Sequence, residues 1–173
     1  VDLDRDLDQD FAEFVGACWT SLYRLAYLLA ASPAGAEDLL QTALEKAYMS
    51  WGRISTMEYP EAYVRRIITT TLVSSRRRAW NRERPTERLP ETGADSGEIG
   101  ALDRSLLWPL VCALPERQRA VIVLRYYEDM SEAQIAQTMG CAPGTVKSQS
   151  SAAMAALRRA LAASGVVQEA RGT

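Results

Sequence analysis

The sequence predicts an all-α protein built as two small helical domains, residues 1–84 and 104–173, joined by a flexible acidic linker over 85–103. Apolar residues recur at helical spacing in both halves, and nowhere do they alternate as in a half-buried strand. Between the halves, RERPTERLPETGADSGEIGALDR is rich in Pro, Gly, Thr and acids and carries no apolar period. A chain of 173 residues, 47% of them hydrophobic, suits one domain or two small ones and can bury a core.

The first helix is set by Phe11, Phe14, Val15, Cys18, Leu22, Leu25 and Leu29, which share one face. Asp10, with Glu13 three residues later, makes a plausible start signal. The preceding VDLDRDLDQD is only superficially like a calcium loop, lacking the glycine and the closing Glu, and reads as a disordered acidic tail. SPAGAEDLL breaks and restarts the chain, since Pro33 is tolerated in a first turn. In the second helix Leu39, Leu40, Ala43, Leu44, Ala47, Tyr48 and Trp51 form the apolar face, opposite Asp38, Gln41, Thr42 and Glu45. After the loop GRISTMEY, Pro60 opens a third helix running to about Arg82. Trp19 and Trp51 lie on or near apolar faces and read as packing.

In the second half Pro115, Ser131 and Gly140 punctuate the helices. Ser131 and Gln134 fit a capping box, Ile135, Ala136 and Met139 face inward, and Gly140 suits a helix stop. Cys141 and Ala142 leave only a tight turn before the next helix opens at Pro143 or Gly144, which is helix-turn-helix spacing. In that last helix Val146, Ser150, Ala153, Leu157 and Leu161 point inward. Thr145, Lys147, Ser148, Gln149, Ser151 and Ala152 are then left on the outside of its first turns. Ordinary helix corners share this spacing, so DNA reading and plain packing both stay open for this segment.

Charge decides more. The formal net charge is −2, yet residues 1–52 carry nine acids against three bases, while residues 53–84 carry eight arginines against three acids. Residues 85–103 are acidic again and 104–173 return to a net excess of bases. Two basic blocks separated by an acidic spacer suit two contacts with a polyanion. In YVRRIITTTLVSSRRRAW, Tyr63, Val64, Ile67, Ile68, Thr71 and Leu72 fall on one arc; Arg65, Arg66, Thr69, Thr70, Arg76 and Arg77 fall on the other, with Val73 among them. No acid lies between Glu61 and Glu83, whereas a solvated face would alternate acids with bases. Cations interleaved with short hydroxyls can contact phosphates and base edges.

Enzyme chemistry is disfavoured. The chain has no histidine, which removes the commonest general base and metal ligand. Cys18, Cys112 and Cys141 are odd in number, far apart and without a CxxC pair, so reduced thiols are expected rather than a zinc site or a disulfide framework. The nearest polar cluster, Tyr126 and Tyr127 with Glu128 and Asp129, reads as a helix end. No catalytic residue, metal, cofactor or small-molecule substrate is expected. No run of 18 apolar residues exists and the acidic start shows no signal-peptide pattern, so a cytoplasmic chain without membrane insertion is expected.

These residues also have a recognisable family. LPERQRAVIVLRYYEDMSEAQIAQTMGCAPGTVKSQ resembles the region-four domain of bacterial sigma factors, and AEDLLQTALEKAYMSW resembles the region-two helix that docks on core RNA polymerase. The two motifs, in this order with a linker and nothing else, are similar to the extracytoplasmic-function group and to an actinobacterial subgroup of it. The resemblance runs from Phe11 to Leu161. It implies an initiation subunit whose partners are core RNA polymerase, promoter DNA and, as is common in the family, an anti-sigma factor.

By position it puts Asp38, Gln41 and Glu45 against the polymerase clamp helices. It puts Arg65, Arg66, Thr69, Thr70, Ser74, Arg76 and Arg77 toward the −10 element, with the loop from Arg53 to Tyr59 holding a flipped base. Thr145, Lys147, Ser148, Gln149 and Ser151 are implied at the −35 element, with Arg117 and Arg119 on the DNA backbone. The family often has Asn and Asp at Thr70 and Ser74, and basic residues where Ala152 and Ala156 stand. The competing expectation is a helix-turn-helix regulator that binds duplex DNA and dimerises through its N-terminal bundle; a dimer seam at Asp38, Gln41 and Glu45 should then be apolar.

Overall fold

A computed structural model describes residues 2–82 and 104–164, and among them every regular element is a helix. The expected linker over 85–103 lies outside the described residues. The chain divides into two compact units, Val1–Arg76 and Arg77–Thr173, so the division falls inside the third long helix rather than at residue 84.

In the first unit, α1 spans Asp2–Ala30 and α2 spans Pro33–Met49. A single turn, α3, covers Trp51–Ile54, and α4 spans Pro60–Arg82. The acidic start is therefore helix and not a tail. Two aromatic side chains hold it: the Trp51 indole donates to Asp10 at 2.9 Å and the Tyr48 hydroxyl donates to Asp8. Asp10 thus serves as a tertiary acceptor instead of an N-cap. Phe11 and Phe14 close the same corner, with Phe14 ring-to-ring on Trp51 at 4.7 Å and Phe11 at 5.1 Å.

At the next break Ala31 turns with φ 57°, and Ser32 accepts from the amide of Gly35 at 3.1 Å, so α2 opens with a true side-chain cap and Pro33 in its first turn. The core is the shared apolar face of three helices: Leu22, Leu25, Leu28 and Leu29 from α1, Leu39, Leu40 and Ala43 from α2, and Val64, Ile68 and Leu72 from α4. Trp51, expected on the second helix, sits one turn later on α3 and is still buried.

In the second unit α5 spans Arg104–Cys112 and α6 spans Glu116–Ile122. A π-helical turn over Val123–Tyr127 follows α6, a widening the sequence did not signal. The turn is left through Asp129 at φ 54°, a residue that tolerates the left-handed region. The α7 helix, Glu132–Met139, has both arms of the expected capping box: Ser131 accepts from the Gln134 amide at 3.2 Å, and the Gln134 side chain accepts from the Ser131 amide at 2.8 Å. Gly140 ends it at φ 64°, where a side chain would be strained, and α8 begins at Pro143 and runs to Ala163. Ile135, Ala136 and Met139 pack with Val146, Ala153, Met154, Leu157 and Leu161, so the helix-turn-helix shares one core with α6. Trp80, at the end of α4, belongs to this unit; it is buried, and its indole donates to Glu116 at 3.3 Å.

Candidate functional site

The exposed face of α2 carries the acids the sequence placed there. Asp38, Gln41 and Glu45 all face solvent, and the Gln41 amide donates to Glu45 at 3.2 Å, which holds that carboxylate on the surface. Lys46, the one base in the last turn, reaches instead to the Thr71 hydroxyl at 3.1 Å. Beside this face α1 and α2 leave an open groove of about 480 Å³. Its floor is Phe11, Leu40 and Leu44, and Trp19 and Tyr48 stand at its sides. Sequence reasoning took Trp19 for packing, but 48% of it is exposed, and Tyr48 is exposed to 49%. The missed signal was spacing: Trp19, Tyr23 and Tyr27 recur every four residues on the flank of the leucine arc and stack as a ladder, with ring centroids 6.1 and 6.4 Å apart.

On α4 the cationic stripe is real but narrower than expected. Arg66, Thr70, Ser74, Arg76 and Arg77 are exposed. Thr69 is not: only 3% of it is accessible, and its hydroxyl donates to the Arg65 carbonyl at 3.2 Å. Arg65 is drawn onto α1, where its guanidinium lies 3.6 Å from Glu61 and donates to Ser21 at 2.5 Å. At about 100° per residue these two occupy the flank between the core and the exposed arc, where Arg65 meets α1 through Ser21 and Thr69 is buried. Thr69 is therefore corrected to a core residue and Arg65 to a partly buried strut.

Glu61 is the hub of that strut, accepting also from Ser21 at 2.7 Å and from the Cys18 thiol at 3.5 Å. Burial first, and the neighbouring carboxylate second, push the Cys18 thiol above its ordinary pKa. Before α4, Arg53 on α3 is exposed and lies over the Tyr63 ring at 5.3 Å while donating to its hydroxyl at 2.9 Å; Tyr59, between α3 and α4, is also exposed.

In the helix-turn-helix, Lys147 and Ser148 are exposed, and Thr145, Gln149 and Ser151 are half-buried on the outer side of α8. Ala152 and Ala156 are half-buried too. Arg117 is half-buried, its guanidinium donating to the Trp80 carbonyl at 3.0 Å. Arg119 is corrected outright: it is 6% exposed and donates to the carbonyls of Cys112 and Leu114 at 3.2 and 2.8 Å, tying the end of α5 to α6. Its charge and the burial of Cys112 act oppositely on that thiol, and burial prevails, raising the pKa.

These surfaces have relatives. The Sigma-70 region 2 family matches residues 15–82 and the Sigma-70 region 4 family matches residues 105–157. The chain is 39% identical to the RNA polymerase sigma-E factor of Streptomyces coelicolor over 89% of its length and 87% of that protein's. It is 34% identical to the ECF RNA polymerase sigma factor SigL of Mycobacterium tuberculosis, over 85% of this chain and 86% of that one. Among solved structures, the sigma factor RpoE of Bartonella quintana, crystallised with the anti-sigma factor NepR, shares the fold with a TM-score of 0.55 and 24% identity, over 88% of this chain and 97% of its own. Two helical units, an acidic helix face, an arginine stripe and a helix-turn-helix in this order, with these relatives, settle the family: the chain belongs to the ECF RNA polymerase sigma factors.

Proposed function

We propose that this sigma factor docks on core RNA polymerase through the α2 face of Asp38, Gln41 and Glu45 and reads promoters with two separate surfaces. Arg66, Thr70, Ser74, Arg76 and Arg77 on α4, with Arg53 on α3, meet the −10 element. Thr145, Lys147, Ser148, Gln149 and Ser151 on α8, with Arg117 nearby, meet the −35 element. The domains that carry these tasks are residues 1–84 and 104–173. The observation that carries the reading is the separation of signs on two neighbouring helices: acids are exposed on α2, and the exposed stripe of α4 holds arginines and hydroxyls without an acid. A protein surface and a polyanion are thereby addressed from one small unit.

The subunit supplies binding and positioning, and the chemistry of RNA synthesis belongs to the polymerase; it is not an enzyme and takes no cofactor, metal or small-molecule substrate. Among the described residues no helix is long and apolar enough to cross a membrane; a cytoplasmic location is part of the proposal. An anti-sigma factor, such as the one bound to the Bartonella quintana protein, is a further partner we propose. The dimeric-regulator reading fits less well, because two copies meeting at α2 would bring Asp38 and Glu45 against the same acids of the other copy.

The test joins two variants of the full chain with core polymerase. Arg76→Ala with Arg77→Ala should abolish promoter opening and leave polymerase binding intact. Charge reversal at Asp38 and Glu45 should do the opposite. A loss of polymerase binding in the arginine variant, at an unchanged unfolding midpoint, would overturn the assignment of the two faces.

A further inference from the structure

Rotation of α4 about its own axis decides which side chains its exposed stripe presents, and burial alone sets that rotation loosely. Thr69, Thr71 and Val73 are buried, while Thr70 and Ser74 beside them are exposed. These side chains are small and similar in size, and a non-directional force proportional to apolar area separates them weakly. Hydrogen bonds are directional and discriminate better. Two polar tethers reach α4, each from a different helix.

From α1, the Ser21 hydroxyl donates to Glu61 at 2.7 Å and accepts from Arg65 at 2.5 Å, while the Arg65 guanidinium lies 3.6 Å from the same carboxylate oxygen. The Cys18 thiol donates to the other oxygen at 3.5 Å. Ser21, Glu61 and Arg65 thus close a ring, and only 17% of the Arg65 side chain is accessible, so its polar contacts are strengthened by partial removal from water. From α2, the Lys46 ammonium donates to the Thr71 hydroxyl at 3.1 Å. At about 100° per residue, Arg65 and Thr71 stand about 120° apart around α4. Arg66 and Thr70 point within about 20° of the direction opposite their midpoint, with Ser74 about 60° round from it. The exposed stripe is therefore aimed by the two tethers.

We infer that Ser21 with Glu61 and Arg65, and Lys46 with Thr71, are positioning residues that fix the rotation of α4 and so choose the face it turns to the −10 element. The inference rests on the proposed −10 reading. Arg65 then serves promoter selection without touching DNA. A turned helix would strand Glu61 and Arg65 away from these partners, so the ion pair acts on geometry more than on stability.

The experiment joins the full chain to core polymerase on promoters that differ by single bases in the −10 element. It reads the ratio of opening between the best sequence and its variants. Ser21→Ala and Thr71→Val each delete one tethering hydroxyl. Each should narrow that ratio by up to about tenfold, the weight of one hydrogen bond to a charged group, with polymerase affinity unchanged. An unchanged ratio in either variant overturns the inference, and so does a uniform loss on every promoter, which plain destabilisation gives. Ser21→Thr keeps the hydroxyl and should hold the wild-type ratio; a loss equal to that of alanine refutes the tether. Arg65→Ala should match Ser21→Ala at an unchanged salt slope, whereas a slope smaller by about one makes Arg65 a phosphate contact and removes it from the ring's role. Arg76→Ala with Arg77→Ala tests the underlying reading separately. If that variant opens every promoter as the wild type does, the −10 reading falls and the tethers with it. Loss of opening there, beside an intact ratio in Ser21→Ala, sinks the tethers alone.

Discussion

Arg119→Met should destabilise the second unit by about 3 kcal/mol without removing a DNA contact, the opposite of what the family resemblance implies for this arginine. Methionine keeps most of the buried volume and deletes the guanidinium. That group donates to the Leu114 carbonyl at 2.8 Å and to the Cys112 carbonyl at 3.2 Å. A hydrogen bond with a charged partner contributes about 1.5–3 kcal/mol, the shorter bond taking the upper part of that range and the longer one the lower. Lost together, the two bonds cost about 4–5 kcal/mol, a figure that already includes the carbonyls left without a donor, Cys112 closing α5 and Leu114 just beyond it. Relief of the arginine's own desolvation opposes both terms and returns part of the loss. A net of about 3 kcal/mol is roughly a hundredfold in the folding equilibrium.

Urea unfolding of the full chain, with hydrogen exchange resolved on α5 to α8, reads this directly. The midpoint of the second unit should fall and exchange there should quicken, with the α1–α2 amides unaffected. The reasoning is refuted if the midpoint holds while −35 DNA affinity falls and the salt slope shrinks by about one, because that pattern belongs to a phosphate contact.

Ser131→Ala removes one arm of the capping box and should lower the second unit's stability by about 1 kcal/mol, read as a lower urea midpoint; an unchanged midpoint would mean that Gln134 alone suffices. Gly140→Ala forces a Cβ into φ 64° and should cost about 1 kcal/mol or more by the same assay. Because burial and Glu61 raise the Cys18 pKa, less thiolate is present at pH 8 than in free cysteine. Its alkylation, followed by peptide mass mapping, should therefore be slower than that of free cysteine and should quicken in Glu61→Gln; equal rates would remove the carboxylate from the account. Ala152→Arg adds a cation on the outer side of α8 and should tighten −35 binding and steepen the salt slope by about one; an unchanged slope would place the residue away from phosphate.

The helices and both domains were legible because periodicity and punctuation are local signals: Pro33, Pro60, Ser131 and Gly140 all act where the sequence placed them. What escaped depended on which neighbour lies against a flank. A hundred-degree helical wheel separates core from solvent but leaves residues such as Arg65, Thr69 and Trp19 in between, and only the packing partner decides them. Arg65 turned onto α1, Thr69 went inward, and Trp19 came outward at the groove. Arg119 was misread for a related reason: guanidinium groups also satisfy carbonyls at helix ends, a use that no charge pattern in sequence can distinguish from a DNA contact. The acidic start was misread as a tail because its partners, Tyr48 and Trp51, lie some forty residues away.

The hydroxyls on the α4 stripe carry the chemistry one step further. Thr70 donates to the Arg66 carbonyl at 2.9 Å, and Ser74 donates to the Thr70 carbonyl at 2.7 Å. Each hydroxyl thereby commits its single proton to the helix and presents lone pairs to the outside, while Arg66 and Arg77 present only donors. Phosphates alone would engage the arginines and leave the hydroxyls to water. Exocyclic amino groups, as on adenine or cytosine, would engage the hydroxyls as well. The asparagine and aspartate common in the family at these two positions have different inventories, an amide that both donates and accepts and a carboxylate that accepts with charge. Replacing both with back-bonded hydroxyls keeps acceptors on the stripe but removes a donor and a negative charge, so under the proposed −10 reading the arginines would act there without an opposing carboxylate and the base preference would differ.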